Sequence, residues 1–232
     1  VAPTKTCTGT GDASFPGFFS LNSPMGQYWY RLPAKYDKTK PTPVVIGMHG
    51  CGDYSENFAT WAMAPYNDVK NGRQNDFQSY IAISVEDTSK GCWDLNHADK
   101  VIAALDDAAA CFYVDQSRVV VAGYSSGAGV AYKVGLSHAE RFAGILIEDG
   151  GLYDNGAAEK TLLANAAWKI NIAHMLHDSD PDYTPAKVQA DWALIKAAGF
   201  PLVTSHVPGD HSGTSKDWYS FLIPATTTWV AP

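Results

Sequence analysis

A chain of 232 residues with 46% apolar and 18% charged side chains has the size and make-up of one ordinary globular domain. Its formal net charge is −7 and it has no cluster of Lys or Arg, so phosphate has no place to land and nucleic acid is excluded as a partner. No apolar run approaches the roughly 18 residues that a membrane-crossing helix requires, and no membrane partner is expected.

Taken in order, residues 1–27 are rich in Thr, Gly, Ser and Pro and read as an irregular arm. Residues 28–32, Tyr-Trp-Tyr-Arg-Leu, predict a short aromatic strand, and 35–43 a polar, proline-bearing turn. The β-branched run 44–48 has the pattern of a buried parallel strand and ends on His49-Gly50-Cys51-Gly52. Runs 80–85, 119–122, 144–147, 170–176 and 202–207 repeat it. Between them lie helical patterns: Val101, Ile102, Leu105 and Ala109 within 97–112, then a small-residue helix over 126–139. A third, over 185–198, has Thr184 as N-cap, Pro185 in its first turn and Gly199 just past its end. Buried strands alternating with helices predict an α/β domain: a mostly parallel sheet covered on both faces, with its site at the carboxyl ends of the strands. No repeat or linker interrupts the chain, so 1–232 reads as a single domain. The span between Ile147 and Ile170 is too short for a large lid domain.

The chemistry is concentrated where the strand 119–122 runs into Gly123-Tyr124-Ser125-Ser126-Gly127 and a helix follows. Two glycines allow a sharp turn that presents Ser125 at the top of the sheet, and the helix N-terminus behind it places partial positive charge where an oxyanion would develop. A serine hydroxyl needs a base, and in α/β-hydrolases the order is Ser, then Asp or Glu, then His. His138 ends the helix after the serine and His174 lies within a strand; neither suits the role. His211 sits in Pro208-Gly209-Asp210-His211-Ser212-Gly213, a loop after the last strand, and is favoured over His206. The acid is expected on the loop after 170–176, where Asp180 is preferred, with Asp182 second and Asp178 third. Its role would be to hold the His211 tautomer. A calcium loop is rejected there, because Tyr183 and Gln189 replace the Gly and Glu that such a loop needs at its sixth and twelfth positions. No metal or other cofactor is expected. The oxyanion donors would be the N–H groups of Ser126 and Cys51, with His49 bracing the loop.

Four cysteines suit two disulfides on an existing core. Of three possible pairings, Cys51–Cys92 with Cys7–Cys111 is preferred, because the strands before Cys51 and Cys92 are expected to be neighbours. Disulfides, and a chain that begins at Val1 as a processed product would, point to a secreted protein, expected as a monomer.

His49-Gly50-Cys51-Gly52, Gly91-Cys92-Trp93-Asp94, the run from Val114 to Val119 leading into the Ser125 motif, and Gly209-Asp210-His211-Ser212 together resemble the feruloyl esterases and the related polyhydroxybutyrate-depolymerase-like esterases of the α/β-hydrolase fold. The resemblance spans roughly 28–222. It implies hydrolysis of an ester carried on feruloylated or otherwise acylated plant polysaccharide, or of a polyester; an acetylxylan esterase is a rival of the same fold. Asp178 stands where the family has glycine before its acid, which leaves Asp180 and Asp182 both open. Trp93 is a candidate to stack on a phenolic ring, with core packing as its alternative. Asp94 is a candidate polar contact or a turn former, and Tyr124 either reaches substrate or packs beneath the site. A non-catalytic carbohydrate-binding protein is a distant alternative, argued only by 7 Trp and 12 Tyr.

Overall fold

The structure is a computed structural model that describes residues 2–66, 77–87, 91–152 and 156–232. Among the described residues nine strands form one sheet: β1 (Thr10–Gly11), β2 (Phe19–Ser23), β3 (Gly26–Arg31), β4 (Thr42–Met48), β5 (Ile81–Val85), β6 (Val114–Tyr124), β7 (Gly144–Glu148), β8 (Asn171–His177) and β9 (Leu202–Val207). Their spatial order is β1-β2-β3-β5-β4-β6-β7-β8-β9. From β5 to β9 every pairing is parallel, whereas β1, β2 and β3 join antiparallel at one edge. The arm 1–27 is therefore not wholly irregular. Its hydrophobic pattern is too sparse to announce strands, and pairing with the aromatic β3 is what orders β2.

The central strands are buried on both faces, which is why they are continuous Val/Ile runs rather than alternating ones. Ile46 lies beside Ile83 on one side and Val121 on the other. Helices α1 (Ser55–Phe58), α2 (Asp99–Cys111), α3 (Ser126–Ser137), α4 (Gly156–Asn165) and α5 (Pro185–Ala197) fill the connections, and helical turns over 215–228 close the chain. Among the described residues two large hydrophobic clusters and one small one result. One large cluster holds Ile46, Leu105, Val121 and Ile145, the other Phe58, Met63, Val120 and Trp218, and the small one Leu176, Val188 and Trp192.

The strand and helix boundaries shift from expectation by a few residues, most of all in β6, which begins at Val114. Thr184 occupies the N-cap of α5, but its side chain makes no capping bond; Pro185 in the first turn and Gly199, at φ +82°, mark the two ends. Between β7 and β8 the described chain holds α4 alone; residues 153–155 of that span lie outside the described residues. Both disulfides pair as preferred, Cys7 with Cys111 and Cys51 with Cys92.

Candidate active site

Parallel strands deliver every candidate group to one rim. His49 follows β4, Ser125 follows β6, Asp180 follows β8 and His211 follows β9. The turn at Ser125 is tight: its φ of +53° and ψ of −122° are values that a residue with a side chain adopts only under strain. Its N–H donates to the Glu148 carbonyl, at 3.1 Å, and its carbonyl accepts from Ala128 N–H. The flanking glycines are dictated by space. A Cβ on Gly127 would fall on the Met48 carbonyl oxygen and within 2.6 Å of that of His49, and one on Gly123 would meet the Gly127 backbone. The strand-to-helix turn thus packs directly on the end of β4.

Ser125 is 6% exposed, and its Oγ lies 2.8 Å from His211 Nε2. On the other side of the ring, Nδ1 lies 2.8 Å from Asp180 Oδ2. A carboxylate can only accept, so Nδ1 carries a proton and donates it. In the neutral ring, Nε2 is then the acceptor that faces the serine hydroxyl. Asp180 is 2% exposed, and its other oxygen, Oδ1, accepts the backbone N–H groups of Asp182 and Tyr183, both at 2.8 Å. Asp182 is exposed on this loop, and Asp178 pairs with His206 at 3.2 Å, away from His211. Rings flank His211 on both sides. Tyr124 stacks at 5.2 Å and Tyr183 at 5.7 Å, both within about 22° of parallel.

Tyr124 packs against His211, and its hydroxyl donates to the His211 carbonyl at 3.0 Å. Burial, and carboxylates nearby, push that hydroxyl above its ordinary pKa, so it stays a donor. Trp93 is 3% exposed within the core, so no ring face is open for a phenolic group. The packing alternative describes it, because a tryptophan beside a disulfide on a short loop turns inward to shed water. Its backbone N–H instead donates to Ser126 Oγ at 3.2 Å. Asp94 is exposed and caps a short helical turn by accepting from Asn96 N–H.

Gly50 passes close over the serine; a Cβ there would lie 2.7 Å from the Tyr124 ring and 3.0 Å from Ser125 Cβ. Cys51 follows it, and the Cys51–Cys92 disulfide ties this loop to the Trp93 loop. Ser126 opens α3, where first-turn N–H groups have no partner inside the helix. His49 braces the loop from within: Nδ1 lies 2.8 Å from the Gly50 carbonyl and Nε2 3.0 Å from Glu86. Burial is the largest influence on His49 and opposes its charge, but the bonds to Glu86 and the Gly50 carbonyl and the nearby carboxylates together outweigh it and raise the His49 pKa; burial likewise opposes charge on Glu86, and the bonds from His49 and Ser55 together lower its pKa.

Sequence reasoning missed a second layer beneath these groups. Glu148, at the end of β7, is fully buried and accepts from Trp218 Nε1 at 2.6 Å. Burial and the neighbouring Asp217 raise its carboxyl well above the usual range. Asp149 is buried against His177, Nδ1 to Oδ2 2.7 Å. Trp61 edges onto Tyr124 and donates to Asp53 at 3.0 Å. These contacts join segments up to 70 residues apart, and no local pattern announces them. The one signal available was an acidic pair, Glu148-Asp149, at the carboxyl end of a buried strand. Asp149, Asp180 and His211 bring one atom each within 4.8 Å of one another, a spacing that metals use. Both carboxylates already accept imidazole N–H groups there.

No family model matches the chain. Among curated proteins it is similar to two described as probable feruloyl esterase C. The one from Aspergillus clavatus is 28% identical over 130 residues, covering 54% of this chain and 46% of that protein. The one from Aspergillus niger is 25% identical over 129 residues, covering 54% and 47%. The matched stretch thus takes in about half the length of either relative. Among solved structures, a ferulic acid esterase from the anaerobic fungus Anaeromyces mucronatus, in complex with ferulic acid, superposes with a TM-score of 0.67 at 15% identity, over 91% of this chain and 89% of that one. The fold is the α/β-hydrolase fold, and over about half its length the chain is similar in sequence to probable feruloyl esterases.

Proposed function

We propose that this protein is a serine carboxylic-ester hydrolase that releases hydroxycinnamic acids from acylated plant polysaccharide. One observation carries the chemistry: Ser125 Oγ, the His211 ring and Asp180 form an unbroken line of two 2.8 Å hydrogen bonds, with the serine on a strained turn at a helix N-terminus. In this reading Ser125 attacks the ester carbonyl while Nε2 of His211 takes its proton. Asp180 holds the ring in the tautomer that leaves Nε2 free and stabilises the imidazolium. The oxyanion is held by the N–H groups of Ser126 and Cys51. His211 then returns the proton to the leaving sugar alcohol, and water activated by the same ring hydrolyses the acyl-enzyme.

The similarity to probable feruloyl esterases and to a ferulic acid esterase fold supports the hydroxycinnamoyl class. A rim where the described chain between β7 and β8 contributes only the ten-residue α4 suits an ester hanging from a bulky polymer. Two disulfides support an oxidising, extracellular setting, and the formal charge of −7 suits a neutral-sugar substrate rather than a polyanion. The test is hydrolysis of methyl ferulate beside an aryl acetate, with Ser125→Ala as control. Serine-dependent release of ferulate is expected. Turnover of the acetate alone would move the substrate to acetylated sugars, and equal activity in the variant would end the Ser125 assignment.

A further inference from the structure

Beneath the line of Ser125, His211 and Asp180 lies a second carboxylate–imidazole pair. Asp149 follows β7 with φ +44°; among the described residues, only Ser125 shares a positive φ without being glycine. Its carboxylate is wholly buried and accepts the backbone N–H of His177 at 3.0 Å and the ring Nδ1–H at 2.7 Å. His177, itself buried, ends β8 three residues before Asp180. Its ring lies against Gly209, two residues before His211, where a Cβ would come within 2.6 Å of the imidazole. Ser179 N–H bonds the Gly209 carbonyl at 2.8 Å, and Asp178 N–H that of Val207 at 2.9 Å. One imidazole thus joins the ends of β7, β8 and β9.

We propose that Asp149 and His177 are positioning residues that hold Asp180 and His211 in register and set the charge around them. The inference rests on the ester-hydrolase reading. A simple structural joint needs neither a buried carboxylate nor a strained φ; glycine carries that φ freely, and buried carboxylates resist ionisation. Burial raises the Asp149 pKa, and the hydrogen bond from His177 opposes the rise. The Asp149 carboxylate also brings an oxygen within 4.8 Å of both Asp180 and His211, close enough for charge to matter. Among the described residues, the following charged and titratable groups face the two rings. His211 faces Asp180, Asp149, Tyr124 and Tyr183, with Lys187 lying over the Tyr183 ring. His177 faces Asp149 and, at 3.9 Å from Nε2, Asp217, beside which lies the buried Glu148.

The test measures kcat, KM and pH profiles for Asp149→Asn, His177→Asn and His177→Leu, all per mole of Ser125 titrated with a fluorophosphonate. Asp149→Asn keeps the shape and removes the negative charge. Its kcat is expected to fall roughly tenfold or more with KM little changed, and the acid limb of kcat/KM to move to lower pH, because a nearby anion favours imidazolium. His177→Asn places an amide N–H where Nδ1 stands and can still donate to Asp149, so it is expected to keep about tenfold more kcat than His177→Leu. Wild-type kcat per titrated serine with an unmoved acid limb in Asp149→Asn, whatever its melting temperature, would overturn the proposal. So would equal kcat in the two His177 variants. A wild-type protein that is neither labelled at Ser125 nor active on any aryl ester would instead sink the esterase reading beneath it.

Discussion

Replacing Asp180 by asparagine is a near-isosteric change whose consequence follows from the hydrogen bonds around it. Oδ1 accepts two backbone N–H groups, from Asp182 and Tyr183, so the amide oxygen must stay on that side; an NH2 there would confront two donors. The amide NH2 is therefore forced toward His211 Nδ1, 2.8 Å away. Nδ1 must then accept, and in the neutral ring the proton moves to Nε2, facing Ser125 Oγ. The ring can no longer take the serine's proton. The same tautomer error in a serine protease lowers kcat by about 10⁴, which corresponds to about 5.5 kcal/mol at 1.36 kcal/mol per decade. Initial rates on an aryl acetate at neutral pH measure it, with a melting curve to verify folding. The expected result is a loss of three to four orders of magnitude with the fold intact. Asp180→Asn retaining more than about a tenth of wild-type kcat would refute the reasoning and move the acid role to Asp149 or Asp182.

Three further outcomes are expected. Gly127→Ala puts a methyl group onto the Met48 and His49 carbonyls, backbone that cannot yield. It should cost about 3 kcal/mol of stability in urea unfolding and displace both Ser125 and the Gly50 loop; a variant as stable and active as wild type would contradict the packing described. His174 is held neutral by burial, its pKa pushed down to about 3, between Tyr132 and the Gly150 carbonyl. Unfolded, it would titrate near 6.5. The unfolded chain therefore binds the extra proton as pH falls from about 6.5 toward 3, and stability drops by up to about 1.4 kcal/mol per pH unit in that window. His174→Gln should flatten the acid side of a melting-temperature profile, and an unchanged slope would be the contrary result. Opening Cys7–Cys111, which closes a separation of 104 residues, by a double serine variant should lose about 4 to 5 kcal/mol in the chain-entropy account; a loss under 1 kcal/mol would show that the arm is held by β1–β2–β3 pairing instead.

The parts of the molecule legible in its sequence are those governed by neighbours along the chain. Buried parallel strands show as unbroken apolar runs because both faces are covered. The turn at Ser125 shows because its two glycines are demanded within five residues, and the His211 loop because glycines surround it at a strand end. What was illegible required segments far apart to meet. The N-terminal strands β1 and β2 acquire their order from β3, not from their own pattern. Whether Trp93 faced solvent or core depended on the path of a disulfide-tied loop, and Tyr124 was committed to the His211 carbonyl 87 residues away. The preference for Asp180 over Asp182 could be stated but not secured from sequence, since both occupy the same loop; a two-residue difference decides which carboxylate turns inward, and only the packed loop resolves it. Asp149, His177 and Glu148 left the faintest trace. A buried polar group is tolerated only where its partner waits, and here the partners, His177 at the end of β8 and Trp218 in the C-terminal helical turns, lie on other elements. Local sequence therefore determined the strands and the strained serine turn, because short-range sterics and hydrophobic pattern suffice for them. Tertiary structure alone decided which polar groups share the water-poor space behind His211, because pairing of that kind is a property of the assembled sheet.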